Sequence, residues 1–85
     1  MNKDLEMYTI DNCVFCIKAK EVIQNNPDMG FRVTEYNIDK NPSYKDTLRE
    51  RFPDVRTVPQ IWIAGKHIGG YEDLVDYIDE TTSLG

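Results

Sequence analysis

Cys13-Val14-Phe15-Cys16 holds both cysteines of the 85-residue chain. Thiols three positions apart share a face when they sit on the first turn of a helix, so the pair can close a disulfide and act as a two-electron store. A thiolate at a helix start is favoured by unpaired backbone N–H groups and by the positive end of the dipole. Cys13 is therefore the more acidic thiol and the nucleophile candidate. Cys16, one turn further in, is expected to be less exposed and to attack the Cys13 sulfur once a mixed disulfide has formed, which makes it the resolving candidate.

Other readings of the pair have less behind them. A structural disulfide across so short a loop constrains the unfolded chain little. A structural zinc site wants four Cys or His ligands, and the chain offers only His67 beyond the pair. Coincidence is left open by the spacing alone, so the surrounding pattern must decide.

The length and the 40% apolar fraction suit one domain, residues 1–85, with a single core. Two cysteines do not make a disulfide scaffold, and Met1-Asn2-Lys3-Asp4 lacks the apolar stretch of a signal peptide, so a reducing cytoplasm is expected. No apolar run reaches the roughly 18 residues of a membrane span, and no membrane partner is expected. A formal charge of -5 argues against nucleic acid. Turn clusters occur at Asn25–Gly30, Lys40–Ser43 and Gly69-Gly70.

Leu5 to Ile10 carries strand-forming residues ahead of the pair. From Cys13 to Gln24, Val14, Phe15, Ala19, Val22 and Ile23 recur at helical spacing, and Asn26-Pro27 stops that helix. Phe31, Val33, Tyr36 and Ile38 predict a second strand ending at Asp39, which completes a βαβ unit. Pro42-Ser43 opens a helix over Tyr44 to Phe52. Ile61 to Ala64 is an apolar strand, Gly65-Lys66 a two-residue hairpin turn, and His67-Ile68 a very short strand broken by Gly69-Gly70. Tyr71, Leu74, Val75 and Ile78 mark one face of a last helix, with its acids outside and a frayed tail from Thr81. His67 is expected to be a solvated turn residue and Trp62 to belong to the core. The order β-α-β-α-β-β-α predicts an α/β protein with a four-stranded mixed sheet flanked by three helices.

That order is the thioredoxin-like fold. The sequence resembles the glutaredoxin family through Cys13-Val14-Phe15-Cys16-Ile17-Lys18-Ala19-Lys20, Thr57-Val58-Pro59-Gln60-Ile61 and His67-Ile68-Gly69-Gly70-Tyr71-Glu72-Asp73. The resemblance implies a glutathione-dependent thiol–disulfide oxidoreductase that reduces protein disulfides and glutathionylated thiols, with Cys13 and Cys16 catalytic and no metal. It implies a cis bond before Pro59, a turn at Thr57-Val58 that offers backbone to glutathione, and an aromatic wall at Phe15. It also implies a clamp at Gly70, Tyr71, Glu72 and Asp73, where N–H groups at a helix start receive the γ-glutamyl carboxylate and Asp73 receives the α-ammonium. No permanently bound cofactor is expected, glutathione entering as co-substrate of a monomer.

The chain departs from the family pattern at several points. Val14 stands where proline is usual, Phe15 where tyrosine is common, and Glu72 where a small hydroxyl residue is frequent. Tyr8-Thr9-Ile10-Asp11-Asn12 has no base before the first cysteine, leaving Lys18, Lys20 or Arg56 to supply positive charge. Two alternatives stand beside the main reading: a carrier reduced by a thioredoxin-type reductase, and a glutaredoxin that bridges an iron–sulfur cluster between two subunits.

Overall fold

A computed structural model describes residues 3–83. The elements are β1 (Lys3–Thr9), α1 (Val14–Gln24), a 3-10 turn (Pro27–Met29), β2 (Phe31–Asn37), α2 (Ser43–Arg51), β3 (Gln60–Ile63), β4 (Lys66–Gly69) and α3 (Tyr71–Ser83). The sheet order is β2-β1-β3-β4. β1 runs parallel to β2 and antiparallel to β3, and β3 runs antiparallel to β4. The expected β-α-β-α-β-β-α architecture is present, with element ends displaced by a residue or two.

Strand alternation sorts the core into two layers. Leu5, Met7, Ile61 and Ile63 pack on one face of the sheet against Ala19 of α1 and Leu74 and Ile78 of α3. Tyr8 and Trp62 point to the other face and meet Leu48 of α2, with Tyr44, Phe52 and Val58 around them. Burying a side chain such as Leu5 or Ile61 contributes about 1.5–3 kcal/mol over leaving it in water. These central strands therefore anchor the loops that leave their ends. Among the described residues no helix is long and apolar enough to cross a membrane.

The β3–β4 hairpin differs from expectation. Its turn is Ala64-Gly65, with φ 52° and 79°, and Lys66 already pairs with Ile63 in β4. A two-residue turn matched to strand twist needs two positive φ values, so the loop takes the pair that closes the ladder, even though one is alanine. β4 then bulges. Trp62 faces His67 while Ile61 faces Gly69, leaving Ile68 as the extra residue. The last helix also runs further than expected: the hydroxyls of Thr81 and Thr82 donate to the Tyr77 and Ile78 carbonyls inside α3. Leu84 and Gly85 of the expected frayed tail lie outside the described residues.

Candidate active site

β1 ends in the buried Thr9, and the chain then turns through Asn12, whose φ of 54° is one that asparagine tolerates, to reach Cys13. Cys13 is the N-cap of α1 and not its first helical residue. Its backbone is extended (φ -106°, ψ 109°), and its Sγ accepts the Cys16 N–H at 3.2 Å. The two Cα atoms are 5.2 Å apart and the sulfurs lie at disulfide distance. Cys16 is 2% exposed, less than the half-buried Cys13, which is the order of exposure expected for the pair. The loop before the pair is tied to the end of β2: the Asp11 N–H donates to Asp39 Oδ2 at 2.8 Å, and Asn37 Nδ2 donates to Asp11 Oδ1 at 3.0 Å.

The Val58–Pro59 peptide is cis. That turn brings the Val58 carbonyl oxygen within 3.8 Å of Cys13 Sγ. Gln60, 6% exposed, holds the turn from behind: its Nε2 donates to the Thr57 carbonyl at 2.9 Å, and its Oε1 pairs with His67 Nε2 at 2.9 Å. With the amide so oriented, His67 Nε2 is the donor. His67 is solvent-exposed as expected, but it belongs to a strand and not to the turn. It stands in β4 with its ring 4.5 Å from Trp62 and 4.7 Å from Phe52. Trp62 is 5% exposed, in the core as expected, and Arg51 lies 4.1 Å over its ring.

A groove of about 630 Å³ runs from this turn to the start of α3. Phe15, Thr57, Val58, Pro59, Gly70, Tyr71, Glu72 and Asp73 all line it, so every candidate ligand residue other than the cysteines is gathered on one surface. The cysteines border a separate cleft, and the contact of Cys13 with Val58 joins the pair to the groove's near end. Phe15 is half exposed, its ring 5.9 Å from Tyr71, and together they form the aromatic wall. Phe52, Gln60 and His67 also line the groove and do not follow from the sequence, because Phe52 comes from the end of α2 while strand register, including the bulge, places Gln60 and His67.

Two expectations about charge change. The Gly70 N–H is not free for a ligand anion: it donates to Asp73 Oδ2 at 3.0 Å, so Asp73 caps its own helix. The first-turn amides of Tyr71, Glu72 and Asp73, which have no carbonyl partner inside a helix, remain the possible donors. Of the bases expected to supply charge at the pair, Lys18 lies 5.3 Å over the Phe15 ring and Lys20 is bound to Glu35 at 2.8 Å. Arg56 lines a third cavity with Lys45 and Arg49, beside Thr57 and Val58.

A smaller cleft of about 320 Å³ opens on both cysteines. Glu35 on β2 and Asp11 are its acids. Burial opposes ionisation of the Glu35 carboxyl, yet hydrogen bonds from Lys20 and the Thr9 hydroxyl, with the charges of Lys20 and Lys40, outweigh it and hold the group below its ordinary range.

The comparisons agree with this geometry. The family model described as Glutaredoxin matches residues 5–68. The chain is 37% identical over 68 residues to a glutaredoxin of Pseudomonas aeruginosa, covering 80% of this chain and 76% of that one. Among solved structures it is similar to reduced Escherichia coli glutaredoxin, with TM-score 0.73, 26% identity, and 98% and 99% of the two chains covered. It is also similar to the glutaredoxin-like NrdH-redoxin of E. coli, with TM-score 0.70, 25% identity, and 91% and 92% covered. The chain belongs to the glutaredoxin family and is a redox protein of glutaredoxin type.

Proposed function

We propose that the protein is a glutathione-dependent thiol–disulfide oxidoreductase of the cytoplasm, acting as a monomer on protein disulfides and glutathionylated proteins. The observation that carries this reading is the approach of Val58 to Cys13 at one end of a groove whose other end is the N-terminus of α3. An extended γ-glutamyl tripeptide fits that path. Its cysteine backbone lies along Thr57-Val58, its γ-glutamyl carboxylate meets the amides of Tyr71, Glu72 and Asp73, and its sulfur is directed at Cys13.

In the first step the Cys13 thiolate attacks a sulfur of the substrate disulfide. A Cys13–substrate bond forms and the substrate's other sulfur leaves with the electron pair. Cys16 then loses its proton and attacks Cys13, releasing the second substrate thiolate and leaving the Cys13–Cys16 disulfide. Glutathione reduces this through a Cys13–glutathione mixed disulfide, and a second glutathione frees Cys13. The test is glutathione-coupled reduction of a small glutathione mixed disulfide. Cys13→Ser is expected to abolish it, and retained activity refutes the assignment. Cys16→Ser is expected to keep that activity while losing reduction of protein disulfides that need both thiols.

A second reading is favoured by one feature of the clamp. Asp73 already occupies the Gly70 amide, and the Glu72 carboxylate lines the groove, both of which weaken it for an anion. The solved NrdH-redoxin is described as having a thioredoxin-like activity profile. A carrier of that kind accepts electrons faster from a thioredoxin-type flavoprotein reductase than from glutathione, and the ratio of the two rates decides between the readings.

A further inference from the structure

The second cleft, lined by both cysteines, also holds charged groups that the mechanism above does not use. Asp11, Lys20, Glu35 and Lys40 are the charged groups that line it, with both cysteines. Cys16 and Lys20 are four residues apart on α1 and so share a face, separated by about 6 Å along the axis, against about 10 Å between Cys13 and Lys20. Lys20 is not free to wander: its Nζ lies 2.8 Å from Glu35 Oε2, the atom that also accepts the hydroxyl of the wholly buried Thr9 at 2.6 Å. A cation is thus fixed one turn beyond the resolving thiol and a carboxylate is fixed beside it.

We propose that the Lys20–Glu35 pair tunes the resolving step, Lys20 favouring the Cys16 thiolate and Glu35 opposing it. The pair acts through Cys16 and touches no substrate, so both are positioning residues. The step it governs is the attack of Cys16 on Cys13: the Cys16 proton passes to solvent through the cleft, the Cys16–Cys13 bond forms, and the bound thiol departs with the electron pair of the broken bond. The inference rests on the assignment of Cys16 as the resolving thiol.

The test uses reduced full-length protein mixed with a chromogenic aromatic disulfide and followed in stopped flow across pH at low salt. A first phase reports attack by Cys13 and a second reports release of the remaining aromatic thiol by Cys16. The second phase must vanish in Cys16→Ser; if it persists, the resolving assignment itself falls. Given that, the midpoint of the second phase is expected to move to lower pH by roughly half a unit in Glu35→Gln and to higher pH by a similar amount in Lys20→Met, with the double variant between them. The first phase is expected to shift less, since Cys13 is further from Lys20. Shifts of the same sign in both single variants, or none in either, overturn the proposal. Glu35→Gln keeps an acceptor for Thr9, so the sign of its shift is readable even where Lys20→Met folds poorly.

Discussion

Asp73 reaches back over the diglycine turn to accept the Gly70 N–H at 3.0 Å, and its carboxylate fills the space where a β-carbon on Gly69 would stand. One side chain thus caps α3 and would have to give up that position to a β-carbon on residue 69. Gly69 also has φ 125°, outside the region open to residues with a β-carbon. A Cβ on Gly70 would meet only the Pro59 carbonyl, at 3.5 Å, an ordinary contact.

The neighbouring glycines are therefore expected to respond unequally. Gly69→Ala combines backbone strain with loss of the Asp73 cap, together about 2–4 kcal/mol. Gly70→Ala is expected to stay within about 1 kcal/mol of the parent, while its methyl narrows the groove and raises the KM for glutathione. Urea unfolding of both variants checks the order, and equal losses would contradict it.

Val14 occupies the first helical position of α1, where an N–H has no partner inside the helix, and Cys13 before it is already extended, as a residue preceding proline must be. Val14→Pro is expected to stabilise by about 0.4–1 kcal/mol, by reducing the freedom of the unfolded chain. The readout is a rise in Tm of a few degrees. A fall in Tm would show that the Val14 side chain or amide makes an interaction the helix needs.

Gln60 links the Thr57 carbonyl to His67. Gln60→Leu keeps the volume but removes the bonds to the Thr57 carbonyl and to His67, both on solvent-exposed residues, at a cost of about 0.5–1.5 kcal/mol per bond. The Thr57-Val58 turn also loses its support, so KM for glutathione is expected to rise more than kcat falls. A change in stability alone, with kinetics intact, would confine Gln60 to the fold.

Acid should weaken the protein through two carboxylates held below their ordinary value of 4.5. For Glu6 the first cause is the hydrogen bond from Arg51; for Glu35 burial is overcome by Lys20 and Thr9. A carboxyl with a lowered folded value adds stability above the unfolded value, and that contribution is lost as pH falls through the folded one. Stability is thus expected to be level down to about pH 5 and to drop below it, with a shallower drop in Glu6→Gln. Urea midpoints taken between about pH 7 and pH 3 give the slope.

Much of this protein is legible in its chain because its signals are local. Cys13 and Cys16 are one helical turn apart, Pro59 follows Thr57-Val58, and Gly69-Gly70 precedes an amphipathic run, so the elements, their order and the reactive pair follow from nearest-neighbour physics. Trp62 was placed in the core for the same reason, as an aromatic on an apolar strand. What the sequence alone could not determine depends on register between strands far apart in sequence. The turn fell on Ala64-Gly65 because Lys66 had to pair with Ile63. The bulge at Ile68 and the alternation of side chains put His67 against Trp62 and Gln60, so a solvent-exposed residue also holds the proline turn from the strand side. Glu35 meets Lys20 and Thr9 only because β2 pairs with β1 under α1. A shift of one residue in any of these ladders would send each side chain to the opposite face. The groove and the smaller cleft are therefore properties of the folded sheet, while the chemistry of the two thiols was already present in their spacing.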